Sequence, residues 1–526
     1  MSLTLHNTLS RALEPLAPAN PDGVYRLYCC GPTVYGASHI GNFRTFLIQD
    51  VLRRALQIEF GAAKVLHARN ITDVDDRILQ QARDENRPLA DIAAHWSKLF
   101  HADAQALNLL PPHFEPGAVA TIPAQIALIQ RLLDLGHAYK ALDGSVYFKV
   151  ASFPDYGRLA RLEFSALRTQ DTNSAGALNL ADKYDRDSAA DFALWKARKP
   201  EDGPNFWPSP FGEGRPGWHI ECSAMIEQVF AGQTIDLHGG GVDLIFPHHE
   251  NEIAQSMCAH SADQHSAGQQ NAHDGDASYH FVRHWFHSAH LLIDEHKMAR
   301  SVGNVYTLAE IQKMGFTPVA LRYALLAGHY RTPLNFSQHA LQSADAALHK
   351  LNKHLQALAA RACPEQSRGA STASDPAAPS IAPAKEGAPS EALAKEGISR
   401  LLAADPANLR WGRFATAWSV LCDDLNLPGA LGEIFKVEPK ASSAEQAAED
   451  LEGLVKIAVH VLGLDLPLSV VTAAIPAEIT ALAQQRWDAK KSRDFKLADT
   501  LRLQIESAGF KILDRKDGFA IEREPK

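Results

Sequence analysis

A chain of 526 residues with 52 Lys and Arg against 61 Asp and Glu carries a formal net charge of −9, which excludes nucleic-acid recognition through a global basic field. At roughly 150 residues per domain, the length allows three or four domains, each with a core of its own. Six scattered cysteines exclude a disulfide framework, and no uncharged apolar run approaches the roughly 18 residues of a membrane span, so a cytoplasmic chain with no membrane partner is expected.

The first β-branched and aromatic run, Val24 to Cys30, predicts a strand stopped by Gly31 and Pro32. Phe43, Phe46, Leu47, Val51, Leu52, Ala55 and Leu56 then recur at helical spacing, and Val65, His67 and Arg69 alternate with Leu66 and Ala68 in a second strand. Strand, helix and strand predict a βαβ crossover in a parallel sheet. Ligands collect at the C-terminal strand ends of such sheets, where Cys30, His39 and Thr72 emerge. Turn-rich and aromatic-rich sequence from about 110 to 216 predicts a domain inserted between two halves of the sheet. The sheet is expected to resume through Gly217–Met225 and Thr234–Phe246, followed by a helix from Pro247 to His260. Ser261–Ser278 and Pro364–Gly397 have the composition of disordered insertions or linkers. Periodic Ala- and Leu-rich segments from His339 and from Glu449 predict a helical bundle. From Arg486 onward, 11 Lys and Arg face 8 Asp and Glu, a local basic patch that reverses the global sign.

Three sets of residues carry chemistry. His39, Gly41 and Asn42 sit where a turn enters a helix, so backbone N–H groups and the positive end of the helix dipole face any bound phosphate. His-x-Gly-Asn alone describes an ordinary turn equally well. The stretch Lys297–Asn304, rich in cations and holding a glycine, is either a second phosphate contact or a solvated charge cluster. There is no Cys-x-x-Cys knuckle, but with Pro247 at the first helical position His248 and Glu252 share a helix face, a spacing that can hold one ion. His249 is expected to point about 100° away from His248. Cys29 and Cys30 are successive strand residues, so their side chains face opposite sides of the sheet.

In order along the chain, "HNTLSRALEP", "CGPTVYGASHIGN", "RNITDVDD", "GRPGWHIECSAM", "DLHGGGVDLIFPHHENEIAQS", "KMARSVGN", "GHYRTPLNFS", "DDLNLPGAL" and "RWDAKKSRDFKLADTLR" resemble the cysteinyl-tRNA synthetases of class I. The resemblance covers nearly the whole chain outside the two insertions. It implies an α/β protein whose Rossmann-type parallel-sheet catalytic domain (1–110 and 217–305) is split by a connective insertion (111–216). A stem-contact segment (306–340), an α-helical bundle (341–475) and a small C-terminal anticodon-binding domain (476–526) then follow. The implied partners are L-cysteine, ATP and cysteine tRNA, with Mg2+ accompanying the ATP, and the family suggests a monomer. By the same resemblance one zinc ion is held by Cys30, Cys222, His248 and Glu252, leaving Cys29 as a small packed hydrophobe, while Thr72, Trp218 and His238 line the amino-acid pocket. His39, Asn42, Lys297 and Arg300 are the implied catalytic residues. Together with Gly41, Gly240 and Asp243 they would bind ATP, Gly240 letting the backbone approach the adenosine. Candidates for tRNA contact are Arg486, Trp487, Lys490, Lys491 and Arg493, although a solvated helix face reads the same.

Two positions depart from the class I signatures. Asn42 stands where histidine is common, and Lys297-Met298-Ala299-Arg300-Ser301 stands where Lys-Met-Ser-Lys-Ser is usual. Arginine at 300 keeps the charge on a wider, planar head. Two alternatives stand beside the synthetase reading: a ligase that uses the same catalytic core to join cysteine to an amino-sugar in thiol biosynthesis but lacks the C-terminal region, and a non-catalytic tRNA- or zinc-binding paralogue. The altered Lys297 loop alone suggests the paralogue, and the intact Cys30, His39, Cys222, His248, Glu252 and Lys297 oppose it.

Overall fold

The computed structural model describes residues 2–162, 190–260, 281–293, 295–297, 305–362, 389–466, 477–492, 494–507, 510–515 and 518–523. At its centre lies a four-stranded parallel sheet of β1 (Tyr25–Cys29), β2 (Val65–Arg69), β3 (Ile235–Gly241) and β4 (Val282–Ser288), in the order β4-β3-β1-β2. Every residue of β1 is buried, as both faces of a covered parallel strand must be. The connection from β1 to β2 is the helix α1 (Ile40–Phe60). Its apolar stripe packs in the core, and its other side, with Arg44, Gln49, Asp50, Arg53 and Arg54, is buried as well. Those polar groups must therefore find partners inside the protein.

The stretch Gly217–Met225 departs from expectation: it forms the start of a helix, α2 (Trp218–Phe230), and the sheet resumes only at Ile235. A short run buried all round cannot be assigned by periodicity. Here Cys222, Met225, Ile226 and Phe230 pack into the sheet's core while Ile220 and Ala224 pack into that of the inserted segment. After β3, the helical turn Ile245–His249 has extended backbone at Phe246 (φ −137°, ψ 132°) and runs into α3 (Glu250–Ala259). Ala254, Cys258 and Ala259 of α3 also face the inserted segment's core. That core is built on the helix Ile122–Asp134 and an antiparallel sheet of Ala138–Lys140, Val146–Phe148, Phe192–Ala197 and Gly214–Pro216. α2 and α3 are thus clamped between two cores, each fully buried aliphatic side chain contributing about 1.5–3 kcal/mol.

Helices Gln338–Ala362, Pro389–Leu402, Ala415–Leu421, Leu427–Lys436 and Ala444–Val455 form the predicted helical region, whose core is continuous with that of the sheet. The expected linker Pro364–Gly397 is shorter than its composition implies, because Pro389 opens a helix; 363–388 lie outside the described residues, as does the insertion Ser261–Ser278. A buried ionic joint ties α1 to this region. Asp50 Oδ2 accepts from Arg322 Nη2 at 2.5 Å and from Arg54 Nε at 2.8 Å, while Arg322 Nε donates to Leu462 O at 2.8 Å and Arg54 Nη1 to His460 O at 3.3 Å. The C-terminal unit comprises Ala477–Lys491, Phe495–Ser507 and the hairpin Phe510–Arg515/Gly518–Arg523, around a small core of Ile479, Ala483, Ile505, Phe510 and Ile512.

Candidate active site and metal centre

A cavity of about 250 Å³ opens at the C-terminal edge of the sheet, and its lining includes Cys30, Tyr35, His39, Gly41, Asn42, Arg77, Trp218, Gly241, Asp243 and Ser288. His39 caps α1. Its Nδ1 accepts from the Asn42 backbone N–H at 3.1 Å, and its own N–H donates to Asn42 Oδ1 at 3.2 Å. A neutral imidazole that accepts at Nδ1 carries its proton on Nε2, so the ring is set as a hydrogen-bond donor. Position 41 is tight, because a Cβ there would stand 3.0 Å from His39 Nδ1 and the imidazole would have to give way.

Segments flanking the Lys297 loop border the same turn. Leu292 and Ile293 pair with Lys297 and His296, and Ile40 N–H donates to Tyr306 O at 2.9 Å. Residues 298–304, Arg300 among them, lie outside the described residues.

On the other side of the cavity, four buried side chains from three elements converge. Cys30 follows β1, Cys222 lies on α2, and His248 and Glu252 come from the turn into α3 and from α3 itself. Their ligand atoms all lie within 4.8 Å of one another: the two Sγ atoms are 4.0 Å apart, Cys30 Sγ is 4.0 Å from Glu252 Oε1, and His248 Nε2 is 3.0 Å from that oxygen. Tetrahedral zinc with Zn–S near 2.3 Å and Zn–N near 2.0 Å needs ligand spacings of about 3.3–3.8 Å; these three spacings lie within a few tenths of an ångström of that range, and no donor pair is more than 4.8 Å apart.

The electrostatics have the same character. A hydrogen bond from Cys30 outweighs burial and brings the Cys222 thiol down to about 6. Burial alone would raise the Glu252 carboxyl, but His238 and His248 hold it down to about 2. Burial likewise opposes a charge on His248, yet Glu252 and Cys222 pull it up to about 10. The cluster concentrates negative charge in a dry pocket and draws positive charge into it, a demand that a divalent ion meets. Cys29 is buried with its thiol pushed up to about 12, an inert packing group.

The groups around the cluster refine the sequence reading. His238 is fully buried, its Nε2 2.9 Å from Glu252 Oε2, and it is not among the residues that line the cavity. Thr72, 3% exposed, also sits behind the wall, where its O accepts from Val34 N–H and its N–H donates to Pro32 O, both at 3.1 Å. Of the three pocket candidates only Trp218 faces the cavity, stacking on His248 with ring centroids 4.4 Å apart. His219 Nδ1 lies 3.1 Å from His248 Nδ1, leaving Nε2 toward the other donors. His249 was expected to turn away, but its Nε2 is 3.4 Å from Cys30 Sγ, and Cys30, His238, His249 and Glu252 form a second tight group. That group has one sulfur donor, and His249 Nδ1 is already engaged with His287 Nε2 at 2.7 Å, so the set with two sulfur donors is the better match to zinc. Gly240 also serves His249: a Cβ there would fall 2.8 Å from its Cε1, so the close approach is that of an imidazole, and Gly241 and Asp243 are the residues at the cavity.

Against this geometry, the family model described as the tRNA synthetases class I (C) catalytic domain matches residues 17–346. The cysteine–tRNA ligase of Opitutus terrae is 46% identical over 523 residues, covering 99% of both chains, and that of Chlamydia muridarum is 39% identical over 539 residues, covering 99% of this chain and all of the other. The chain belongs to the cysteine–tRNA ligase family of class I aminoacyl-tRNA synthetases. Its fold is shared with methionyl-tRNA synthetase of Mycobacterium tuberculosis at a TM-score of 0.50 and 15% identity, over 84% of this chain and 90% of that one. Leucyl-tRNA synthetase of Agrobacterium radiobacter K84 matches at a TM-score of 0.50 and 11% identity, over 85% of each chain.

In the C-terminal unit of this family member, the candidate tRNA contacts separate by environment. Arg486 is 5% exposed, with Nη1 and Nη2 donating to the two oxygens of Asp514 at 2.7 and 3.1 Å; it braces the hairpin and is not a surface contact. Lys490 donates to the same carboxylate. Lys491 remains exposed, with Nζ 5.5 Å from the ring centroid of half-buried Trp487, and Arg493 lies outside the described residues. Sequence reasoning missed Arg77, His219 and His287. The alternation of Trp285 and His287 on β4 was a readable signal for the last, since both rings point to one face.

Proposed function

We propose that this enzyme activates L-cysteine with ATP as cysteinyl-adenylate, releasing pyrophosphate, and transfers the cysteinyl group to the 3′ end of cysteine tRNA. The observation that carries this reading is one cavity bordered on one side by the His39-capped N-terminus of α1 and on the other by the Cys30, Cys222, His248 and Glu252 cluster. Those four residues would hold one zinc ion. When bound there, zinc supplies a borderline-soft Lewis acid that takes the thiol of cysteine as a thiolate and has little affinity for the hydroxyl of serine.

The chain's own groups do the rest. Trp218 closes the amino-acid side over His248, and His238 and Thr72 support from behind. On the ATP side, His39 Nε2–H, the Asn42 carboxamide and the first N–H groups of α1 donate to the phosphates, with Asp243 toward the ribose. The cysteine carboxylate attacks the α-phosphate and the bond to pyrophosphate breaks, a reaction served by positioning and charge stabilisation. Lys297 and Arg300 would supply positive charge to the phosphates, and Mg2+ accompanies the ATP. Selection at the thiol makes a separate editing site unnecessary.

We assign 1–110 and 217–305 to the catalytic domain, 111–216 to the connective insertion, 306–340 to stem contact, 341–475 to the bundle and 476–526 to anticodon binding, in a cytoplasmic monomer. No helix among the described residues is long and apolar enough to cross a membrane. The C-terminal unit, with Lys491 over Trp487, favours tRNA over an amino-sugar as acceptor. Cysteine-dependent ATP–pyrophosphate exchange followed by charging of cysteine tRNA tests the reading. Exchange without charging favours the amino-sugar ligase, and no exchange favours a non-catalytic paralogue.

A further inference from the structure

Arg44 lies on α1 two residues beyond Asn42 and is 1% exposed. Its guanidinium is spent on backbone carbonyls: Nη1 donates to Ala289 O at 2.6 Å and to His290 O at 2.7 Å, and Nη2 to His329 O at 3.1 Å and to Thr332 O at 2.7 Å. Among the described residues no carboxylate pairs with it, and burial pushes its pKa down to about 10. A buried cation held only by carbonyl dipoles is a costly way to join two segments if joining is all it does.

The two segments lead into adjacent strands of a three-stranded ribbon that ends at His296–Lys297. Ala289 and His290 leave β4, line the cavity and lead into Leu291–Ile293. His329 to Thr332 lead into Leu334–Phe336, which pairs in parallel with Leu291–Ile293, and the latter pairs in turn with His296–Lys297. A Cβ on Gly41 would stand 3.7 Å from Leu291 Cβ, so this ribbon abuts the turn itself.

We propose that Arg44 is a positioning residue for adenylate formation, pinning the ribbon that bears Lys297 at a fixed distance from the His39–Asn42 turn. The proposal rests on the reading of both segments as phosphate contacts. The planar fork of arginine reaches carbonyls on both segments at once, which the single ammonium of lysine does not. Because a misplacement of about 1 Å costs roughly 100-fold in rate, Arg44 acts on the transition state and leaves the distant cysteine pocket alone.

The test is cysteine-dependent pyrophosphate exchange by the full-length enzyme carrying Arg44→Lys, Lys297→Ala, or both. Arg44→Lys is expected to lower kcat about 10- to 100-fold with KM for cysteine, metal content and the circular-dichroism melt retained. In the Lys297→Ala background the same replacement is expected to cost less than about 3-fold, since the group being positioned is gone. Exchange at the wild-type rate in Arg44→Lys, an equal loss in both backgrounds, or no effect of Lys297→Ala would overturn the proposal. Absence of exchange in the wild type would instead overturn the functional reading beneath it. If Arg44→Lys does not fold, Arg44→Gln, which keeps two donors without the charge, is judged by the same outcomes.

Discussion

His238 Nε2 lies 2.9 Å from Glu252 Oε2, with both side chains wholly inside the protein, so one carboxylate oxygen is committed to His238 while the other faces His248 and Cys30. His238 thereby fixes the orientation of a candidate metal ligand from behind, at a register set by the sheet, where it stands opposite Tyr28 of β1 and Trp285 of β4. Replacing it with alanine is expected to weaken zinc binding about 10- to 100-fold while the four donors remain. Competition against a chromophoric chelator measures this, and unchanged affinity in His238→Ala would refute the orienting role.

Cys29 and Cys30 are neighbours with separate tasks. Cys30 Sγ stands 4.0 Å from Cys222 Sγ, whereas Cys29 Sγ packs against the backbone of Gly239, 3.4 Å from where a Cβ would be. Cys30→Ser is expected to lose the metal and cysteine activation together. Cys29→Ala is expected to keep both and to lose only about 1 kcal/mol of stability to a small cavity. Metal analysis and pyrophosphate exchange on the two variants decide it; equal defects in both would remove the distinction.

The contrast between these cysteines also marks what a sequence can carry. Alternation along β1 separates their faces by elementary strand geometry, and the i, i+4 pair His248 and Glu252 follows from helix geometry once Pro247 opens the turn. What could not be read was contact across elements. His249 meets Cys30 because β1 ends beside α3, and no spacing within either element encodes that meeting. α2 escaped because burial between two cores erased the polar stripe by which a helix is recognised. Arg44 and Asp50 look like solvent-facing helix residues until the neighbouring segments are in place.

Among the described residues Asp50 is the single anion paired with Arg54 and Arg322, and the three side chains join α1 to the helical region. Burial would raise its pKa, but Arg322 and Arg54 hold it below the usual carboxylate range. A carboxyl depressed in the folded state stabilises fully above its unfolded pKa near 3.9 and loses that contribution as pH falls through the folded value. Asp50→Asn strands two buried guanidinium groups and is expected to cost about 3–5 kcal/mol at neutral pH. The gap from wild type should narrow below about pH 4 as the native carboxyl protonates. Urea unfolding over this pH range checks both parts, and a gap independent of pH would show that charge pairing is not its source.

In the C-terminal unit, Arg486 and Lys491 lie on one helix, yet their environments predict opposite phenotypes. The Arg486 guanidinium grips both oxygens of Asp514 across to the hairpin, and that contact holds the Asp514 carboxyl well below its ordinary range. Arg486→Ala is therefore expected to loosen this unit, speeding limited proteolysis within it, and to weaken tRNA charging only through that loosening. Lys491, exposed beside Trp487, makes no ion pair among the described residues. Lys491→Ala is expected to leave proteolysis unchanged and to raise KM for tRNA, with a lower salt dependence because one cationic contact to phosphate is lost. Pyrophosphate exchange, which needs no tRNA, should be the same in both variants and in the wild type. A rise in tRNA KM in Arg486→Ala with proteolysis unaltered would return Arg486 to the tRNA-contacting surface from which its burial removes it.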